Sequence, residues 1–307
     1  LQFRKFDTLR CFGIEMEIGR EVPRPNIVDF LRRKTHRQIK SSYYHPSINN
    51  YFWDVKLDGS CGAKLIKGIN EGGYEITSYK GSGVYDLIHI SKVISSLKSI
   101  NVKVNENCGF HVHVDVSDFS SEDVGILINN WLCIEYFIFC MVPDRRKVSK
   151  YCTRFTSVCK YNKTCLNASD YWNLYKPNNT SLNNADRRLS MNLVNYYRSI
   201  TLKSFKRKTV EFRFPESTLV EKNIKNWARF LINFIELVKS RQTIYPINSV
   251  DNVCDFLSFS GLKFDDNNLL SEGLLETRNW AIKKLRRHSC NSQIKNEANV
   301  LLEVGPK

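Results

Sequence analysis

Cys11-Phe12-Gly13-Ile14-Glu15-Met16-Glu17-Ile18 alternates apolar and acidic side chains with a period of two. That period reads as a β-strand, with Glu15 and Glu17 on one face and Ile14, Met16 and Ile18 on the other. Two later stretches repeat the device. His111-Val112-His113 lies inside the strand-like run Cys108 to Val116, and Glu211-Phe212-Arg213 inside Lys208 to Phe214. Residues two apart on a strand point the same way. If the three strands are neighbours, one sheet face carries three acids, two imidazoles and a guanidinium. Such groups cannot be buried without partners except at a cost of several kcal/mol each. They must pair with one another, line water or bind ions. Singly, each pair also fits a plain structural role: a solvated sheet face, satisfied core histidines, or an ordinary salt bridge.

Outward from these strands the chain reads as follows. A basic helix is expected over 27–40 and polar loop over 41–50. Strands are expected at Trp53 to Lys56, running into the turn Asp58-Gly59-Ser60, and at Tyr74 to Ser78. A helix from Asp86 to Ile100 carries Leu87, Ile90, Val93, Ile94 and Leu97 on one stripe. Ser120 opens another helix, with Asp123 three residues on as a capping-box signal. Further strands are expected at Met191 to Tyr196, Ser199 to Phe205 and Lys208 to Phe214. Helices follow at Glu221 to Arg241 and about Leu269 to His288, with the last dozen residues fraying. The basic, then Asn-, Ser- and Thr-rich stretch 143–185 reads as an insertion, either a substrate-covering lid or a solvated loop. Strands and helices do not alternate as in βαβ repeats, which favours an α+β fold with an antiparallel sheet. Residues 1–245 read as the catalytic domain and 246–307 as a small helical region.

Composition narrows the class. In 307 residues, 42% are hydrophobic and 25% charged, which excludes global disorder and collagen-like repeats. No run of 18 apolar residues occurs, so no membrane span is expected. The first ten residues show no signal-peptide core, and a cytoplasmic location with reduced thiols is expected. The ten cysteines form no CxxC pair and match no usual zinc spacing. Forty-six Lys and Arg against 31 Asp and Glu give a net charge of +15, a field that attracts polyanions or small anions.

Carboxylates with an imidazole suit Mg²⁺ or Mn²⁺, and an Arg on the same face suits a phosphate oxygen. Together they imply a nucleoside triphosphate. Two more acids join this picture. Asp58 either stabilises its own turn or serves as a ligand. Glu75, flanked by Tyr74 and Ile76, reads as a ligand.

The order of the motifs Phe12–Glu17, Trp53–Ser60, Gly73–Ser78, Cys108–Val114, Arg188–Leu193 and Thr209–Phe214 resembles the glutamine synthetase and glutamate–cysteine ligase superfamily. It is most similar to its amidoligase branch, over about residues 10–240. The resemblance implies a glutamine synthetase-like catalytic domain, in which a curved antiparallel sheet forms a funnel-like active site with helices on its outer face. It implies an ATP-dependent carboxylate–amine ligase that forms an amide through an acyl phosphate. ATP and Mg²⁺ or Mn²⁺ would be its cofactors, and a carboxylate and an amine its substrates. Carried over by position, Glu17 and Glu75 would hold one metal, with Asp58 as the least fixed ligand. Glu15, His111 and Glu211 would hold a second, bridging the β- and γ-phosphates. His113 would lie near the phosphates or the reacting carboxylate. Arg213 would steady the transferring phosphoryl group, Arg188 would bind phosphate or substrate carboxylate, and Asn192 would be a neutral partner. Two other readings stay open. The charge suits a nucleic-acid-binding protein, or a ligase acting in nucleic-acid hypermodification. The same metals also suit a phosphohydrolase or nuclease.

Overall fold

The stretch quoted first forms β2 (Cys11–Ile18), with Ile14, Met16 and Ile18 wholly buried. In this computed structural model the described residues are all except 1, 5–8, 42–50, 62–71, 158–166, 171–185, 202–206, 242–248, 264–267 and 305–307. The chain divides into two compact bodies. One comprises Leu9–Val114 and Pro215–Ala228; the other comprises Leu1–Thr8, Asp115–Phe214 and Arg229–Lys307.

The first body is built on a sheet. Its strands are β3 (Ile39–Lys40), β4 (Trp53–Asp58), β5 (Gly73–Thr77), β6 (Gly81–Ser82) and β7 (Phe110–Asp115), beside β2. They run in the order β3-β4-β5-β2-β7, and β6 also pairs with β2. Every pairing among β2, β4, β5, β6 and β7 is antiparallel, while the edge pair β3 and β4 is parallel. α1 (Arg24–Thr35) starts behind Pro23, and Pro25 sits in its first turn, where no intrahelical N–H is needed. It ends at His36, whose left-handed φ of 52° returns its N–H to the Arg32 carbonyl. The helix expected over 27–40 therefore stops short, and its last two residues become β3. α2 (Gly83–Ser96) buries Leu87, Ile90 and Ile94, the stripe read from the sequence.

The second body is mainly helical. α3 (Ser121–Cys140) carries both arms of the capping box between Ser120 and Asp123. α4 (Asp144–Lys147), β8 (Met191–Asn192), α5 (Val194–Thr201) and β9 (Thr209–Phe212) follow, and α6 (Glu221–Ser240) belongs to the first body up to Ala228 and to the second from Arg229. Then come α7 (Val253–Phe259), β10 (Asn268–Leu270), α8 (Glu272–His288) and α9 (Ser292–Val304). β8 pairs antiparallel with β9, and β1 (Gln2–Arg4) pairs parallel with β10. Trp131 of α3 packs against Phe212, Phe214 and Phe234, with ring centroids 5.2, 5.6 and 5.9 Å apart. α3 has the length and hydropathy of a membrane-crossing helix. Its buried Asn129, Asn130 and Glu135 and its burial within the protein mark it as a core helix.

The mixed fold and the open, antiparallel-dominated sheet agree with the α+β reading. Three local readings are corrected. The strand expected over Met191 to Tyr196 shrinks to β8, because the Val194 N–H bonds to Asn192 Oδ1 and the Tyr197 N–H to the Leu193 carbonyl, opening α5; of the strand expected over Ser199 to Phe205, Ser199 to Thr201 lie in α5 and the rest falls outside the described residues. The C-terminal dozen does not fray throughout: α9 buries Ile294 and Ala298, four residues apart. Asn252, which caps α7 at the Asp255 N–H, marks a helix the sequence reading passed over. The proposed lid over 143–185 falls largely outside the described residues.

Candidate active site

The register of the first body collects the polar groups of four segments on one face. Glu15 lies opposite Thr77 on one side and His111 on the other; Glu17 lies opposite Glu75; His113 lies opposite Gly13. Across the next pair, Asp54 faces Thr77, Lys56 faces Glu75 and Asp58 faces Gly73. Directly opposed residues share a face. So Glu15, Glu17, Asp58, Glu75, His111 and His113 all project from the same side of the sheet, while Ile14, Met16, Val55, Ile76 and Val112 fill the other.

His111 bridges the two acids of β2. Its Nδ1 lies 3.5 Å from Glu15 Oε2 and its Nε2 lies 3.7 Å from Glu17 Oε1. His113 Nε2 lies 3.1 Å from Glu15 Oε1. Burial alone would push the Glu15 carboxyl up; His113 and His111 beside it hold it well below its ordinary value. Glu75 has the opposite balance. Burial and then the Glu15 charge push it up to about 7, against the pull of Lys56. Lys56 Nζ donates to Glu75 Oε1 at 3.1 Å and to Thr77 Oγ1 at 3.3 Å. Burial opposes its charge, but Glu75 and Glu15 outweigh it and hold the ammonium above its ordinary range.

Backbone fixes the deeper end of the face. The Gly109 N–H donates to Glu17 Oε2 at 2.6 Å. A Cβ on Gly109 would meet His111 Nε2 at 2.7 Å, so any larger residue there would push the imidazole from its place. Asp58 Oδ1 accepts from the Ser60 N–H and hydroxyl, both at 2.7 Å, the turn-stabilising role open to it from sequence. The same residue belongs to a second grouping: ligand atoms of Glu17, Asp58 and Cys61 all lie within 4.8 Å of one another.

In the second body, Glu211 and Asn192 lie opposite each other on β9 and β8, and Asn192 Nδ2 donates to Glu211 Oε2 at 2.7 Å. Arg213 Nη1 bonds Glu211 Oε1, so the i, i+2 pair forms an ion pair. The Arg213 N–H bonds the Ser190 carbonyl at 2.9 Å, and buried Arg146 grips the carbonyls of Arg213 and Phe214 at 2.7 and 3.2 Å. Arg188 is exposed, its guanidinium carbon 5.5 Å from the Tyr151 ring centre.

Three residues of these surroundings escaped the sequence reading. Lys56 was visible as the member between Asp54 and Asp58 in a period-two run. Cys61 follows Asp58 by three residues in a turn, a spacing with no metal signature of its own. Glu135 was the lone charge in the apolar stretch Trp131 to Val142 and called for partners. It takes the Phe155 N–H at 2.6 Å, the Thr156 N–H at 2.7 Å and the Trp131 indole at 3.2 Å, together with the Ser190 hydroxyl.

Comparison with known proteins returns a family described as "Putative amidoligase enzyme", whose profile matches residues 8–235. No curated protein matches. Among solved structures, the chain is similar to a bifunctional glutathione synthetase from Pasteurella multocida at 12% identity. That match has a TM-score of 0.49 and covers 98% of this chain and 51% of that one. A second is the complex of the prokaryotic ubiquitin-like protein Pup with its ligase PafA, at 12% identity and a TM-score of 0.30, covering 97% of this chain and 59% of that one. The chain thus spans between half and three-fifths of the length of those chains.

Proposed function

Because this chain belongs to the amidoligase family, an amide-bond-forming group, we propose that it is an ATP-dependent carboxylate–amine ligase working through an acyl phosphate. The observation that carries the reading is the β-sheet face on which register alone gathers Glu15, Glu17, Asp58, Glu75, His111 and His113. Four carboxylates and two imidazoles form a donor set that fits Mg²⁺ or Mn²⁺. Glu17, Glu75 and Asp58 would hold one cation; Glu15, His111 and Glu211 would hold the other, the set the family resemblance assigns. When bound, these cations neutralise phosphate charge and polarise phosphoryl oxygens.

The residues of the chain have separable tasks. Arg213, which Glu211 and the Ser190 carbonyl hold in place, supplies its guanidinium fork to the oxygens of the transferring phosphoryl group. Asn192 keeps Glu211 oriented through a neutral bond. His113 stands beside Glu15 and would lie near the phosphates or the reacting carboxylate, as the family resemblance implies. Arg188 binds a phosphate or the substrate carboxylate. A substrate carboxylate oxygen attacks the γ-phosphorus of ATP, and the bond to the bridging oxygen breaks to release ADP. The amine nitrogen then attacks the acyl carbon, the bond to the phosphate oxygen breaks, and the nitrogen loses a proton. Such a pairing of two anions needs positive charge at close range, which a dry site makes strong.

The test is ADP release from Mg²⁺·ATP across pooled carboxylates and amines. ADP that appears only with an acid, and one ¹⁸O passing from a labelled acid into the released phosphate, are expected. ADP formed at one rate with or without acid and amine would contradict the reading and favour a phosphohydrolase.

A further inference from the structure

One side chain on this face carries the opposite sign. Within β2, β4, β5 and β7, Lys56 is the only Lys or Arg. The register turns it to the same side as Glu15, Glu17, Asp54, Asp58 and Glu75, all in one body. Its Nζ donates to Glu75 Oε1 at 3.1 Å and to Thr77 Oγ1 at 3.3 Å, and the Thr77 hydroxyl donates to the same Oε1 at 3.1 Å. Two fixed acceptors thus hold the ammonium in one place. Both contacts to Glu75 fall on Oε1, which leaves Oε2 to face a cation. An ammonium has three N–H groups, and among the described residues no acceptor takes the third. The Lys56 and Glu75 side chains are 18% and 19% exposed, so the pair is held firmly yet open to a ligand.

We propose that Lys56 binds the carboxylate of the acid substrate through the N–H that Glu75 and Thr77 leave over. The inference names a substrate-binding residue for the reaction proposed above and rests on that reading. That reaction brings an anionic nucleophile to a face of like charge, where repulsion at close range is strong. Divalent cations neutralise this charge but do little to fix direction. An N–H donor fixes one carboxylate oxygen and leaves the other to attack. The compact lysine ammonium, a point charge on a flexible stem, suits a single oxygen of this kind. Glu75 then has two tasks. Its Oε1 anchors the ammonium and its Oε2 faces a cation, so one carboxylate sets the substrate's anchor beside the metal. No bond to Lys56 forms or breaks in the reaction.

The experiment is ADP formation from Mg²⁺·ATP, titrated with the pooled carboxylates at fixed amine, in the parent, Lys56→Met and Lys56→Arg. Lys56→Met keeps the length of the stem and removes the charge. The half-saturating acid concentration should rise at least about tenfold in Lys56→Met, the scale of one lost charge-assisted hydrogen bond, and by less in Lys56→Arg. The half-saturating ATP concentration should stay within about twofold of the parent, which separates a carboxylate contact from a phosphate contact. Mn²⁺ binding, followed by electron paramagnetic resonance without substrate, should hold or tighten in Lys56→Met, because a positive neighbour of the cation is gone. Retained Mn²⁺ binding also shows that the variant folds. An unchanged acid dependence in Lys56→Met would overturn the proposal and leave the ligase reading standing. So would an equal rise for ATP, or loss of Mn²⁺ binding, since Lys56 would then serve the phosphates or the fold. ADP formed at one rate with or without acid in the parent would overturn both.

Discussion

Single residues decide what the sheet face can hold. A Gly109→Ala substitution drives a methyl group to 2.7 Å from His111 Nε2 and 3.3 Å from Glu17 Oε2. It should cost about 1–3 kcal/mol in a urea melt, as overpacking does, and weaken divalent-cation binding with it. A stable variant with unchanged cation affinity would show that the imidazole and the acid do not need this close approach. Glu211→Gln keeps the shape and an acceptor for Asn192 but removes the charge that Arg213 pairs with. ADP formation should fall by about 100-fold or more, the scale of a lost charge-stabilising contact, while the fold persists. At this scale the sequence was most readable where period two governs. Glu15 with Glu17, and His111 with His113, share faces because strand geometry allows nothing else. Lys56 and Cys61 were not readable in the same way. Their partners are set by the pairing of β4 with β5 and by the turn after Asp58, which no local pattern encodes.

At the scale of elements, polar anchors inside the helical body set the strand ends. Glu135 of α3 collects the N–H groups of Phe155 and Thr156 and the Ser190 hydroxyl, and Ser190 in turn holds the Arg213 backbone. Glu135→Ala should destabilise by about 3–5 kcal/mol, since it leaves buried donors unanswered. A loss under about 1 kcal/mol would mean that water or a shifted loop replaces the carboxylate. The end of α8 adds an acid-sensitive point. Burial first, and then Lys284, Arg287 and Lys147, hold His288 down to about 4. The unfolded chain takes that proton near pH 6.5, so between pH 6.5 and 4 it binds more protons than the folded one. Stability should therefore fall as pH drops through that window, and His288→Gln should flatten the urea midpoint between pH 7 and pH 5. A variant with the same slope as the parent would remove His288 from the cause. Helices with a clear apolar stripe, such as α2, were legible before the structure. α5 was not, because Val194 to Thr201 is as rich in strand-favouring side chains as in helical ones, and the Asn192 bond to Val194 decides the outcome.

The whole molecule combines a net charge of +15 with a site face dominated by carboxylates. Its positive field favours anionic substrates in general and does not select among them. Lys283, Arg286 and Arg287 are exposed on α8, outside the groups assigned to the reaction. Replacing Lys283 and Arg286 with alanine should leave ADP formation unchanged and reduce any salt-sensitive retention on DNA. A fall in ADP formation would bring α8 into the reaction. The α+β class and the order of motifs were legible over most of the chain because strand pairs and apolar stripes are local signals. The grouping into bodies was not, since it depends on which distant segments pack together. The central proposal is a cation-dependent nucleotide site to which the family resemblance assigns Glu15, His111 and Glu211, and a thermal-shift titration with Mg²⁺ and a non-hydrolysable ATP analogue tests it most directly. Nucleotide at about a hundred times its dissociation constant adds about 2.7 kcal/mol of stability. The account predicts a rise in Tm that needs both Mg²⁺ and nucleotide and is lost in Glu211→Gln; no rise, or an equal rise in that variant, would contradict it.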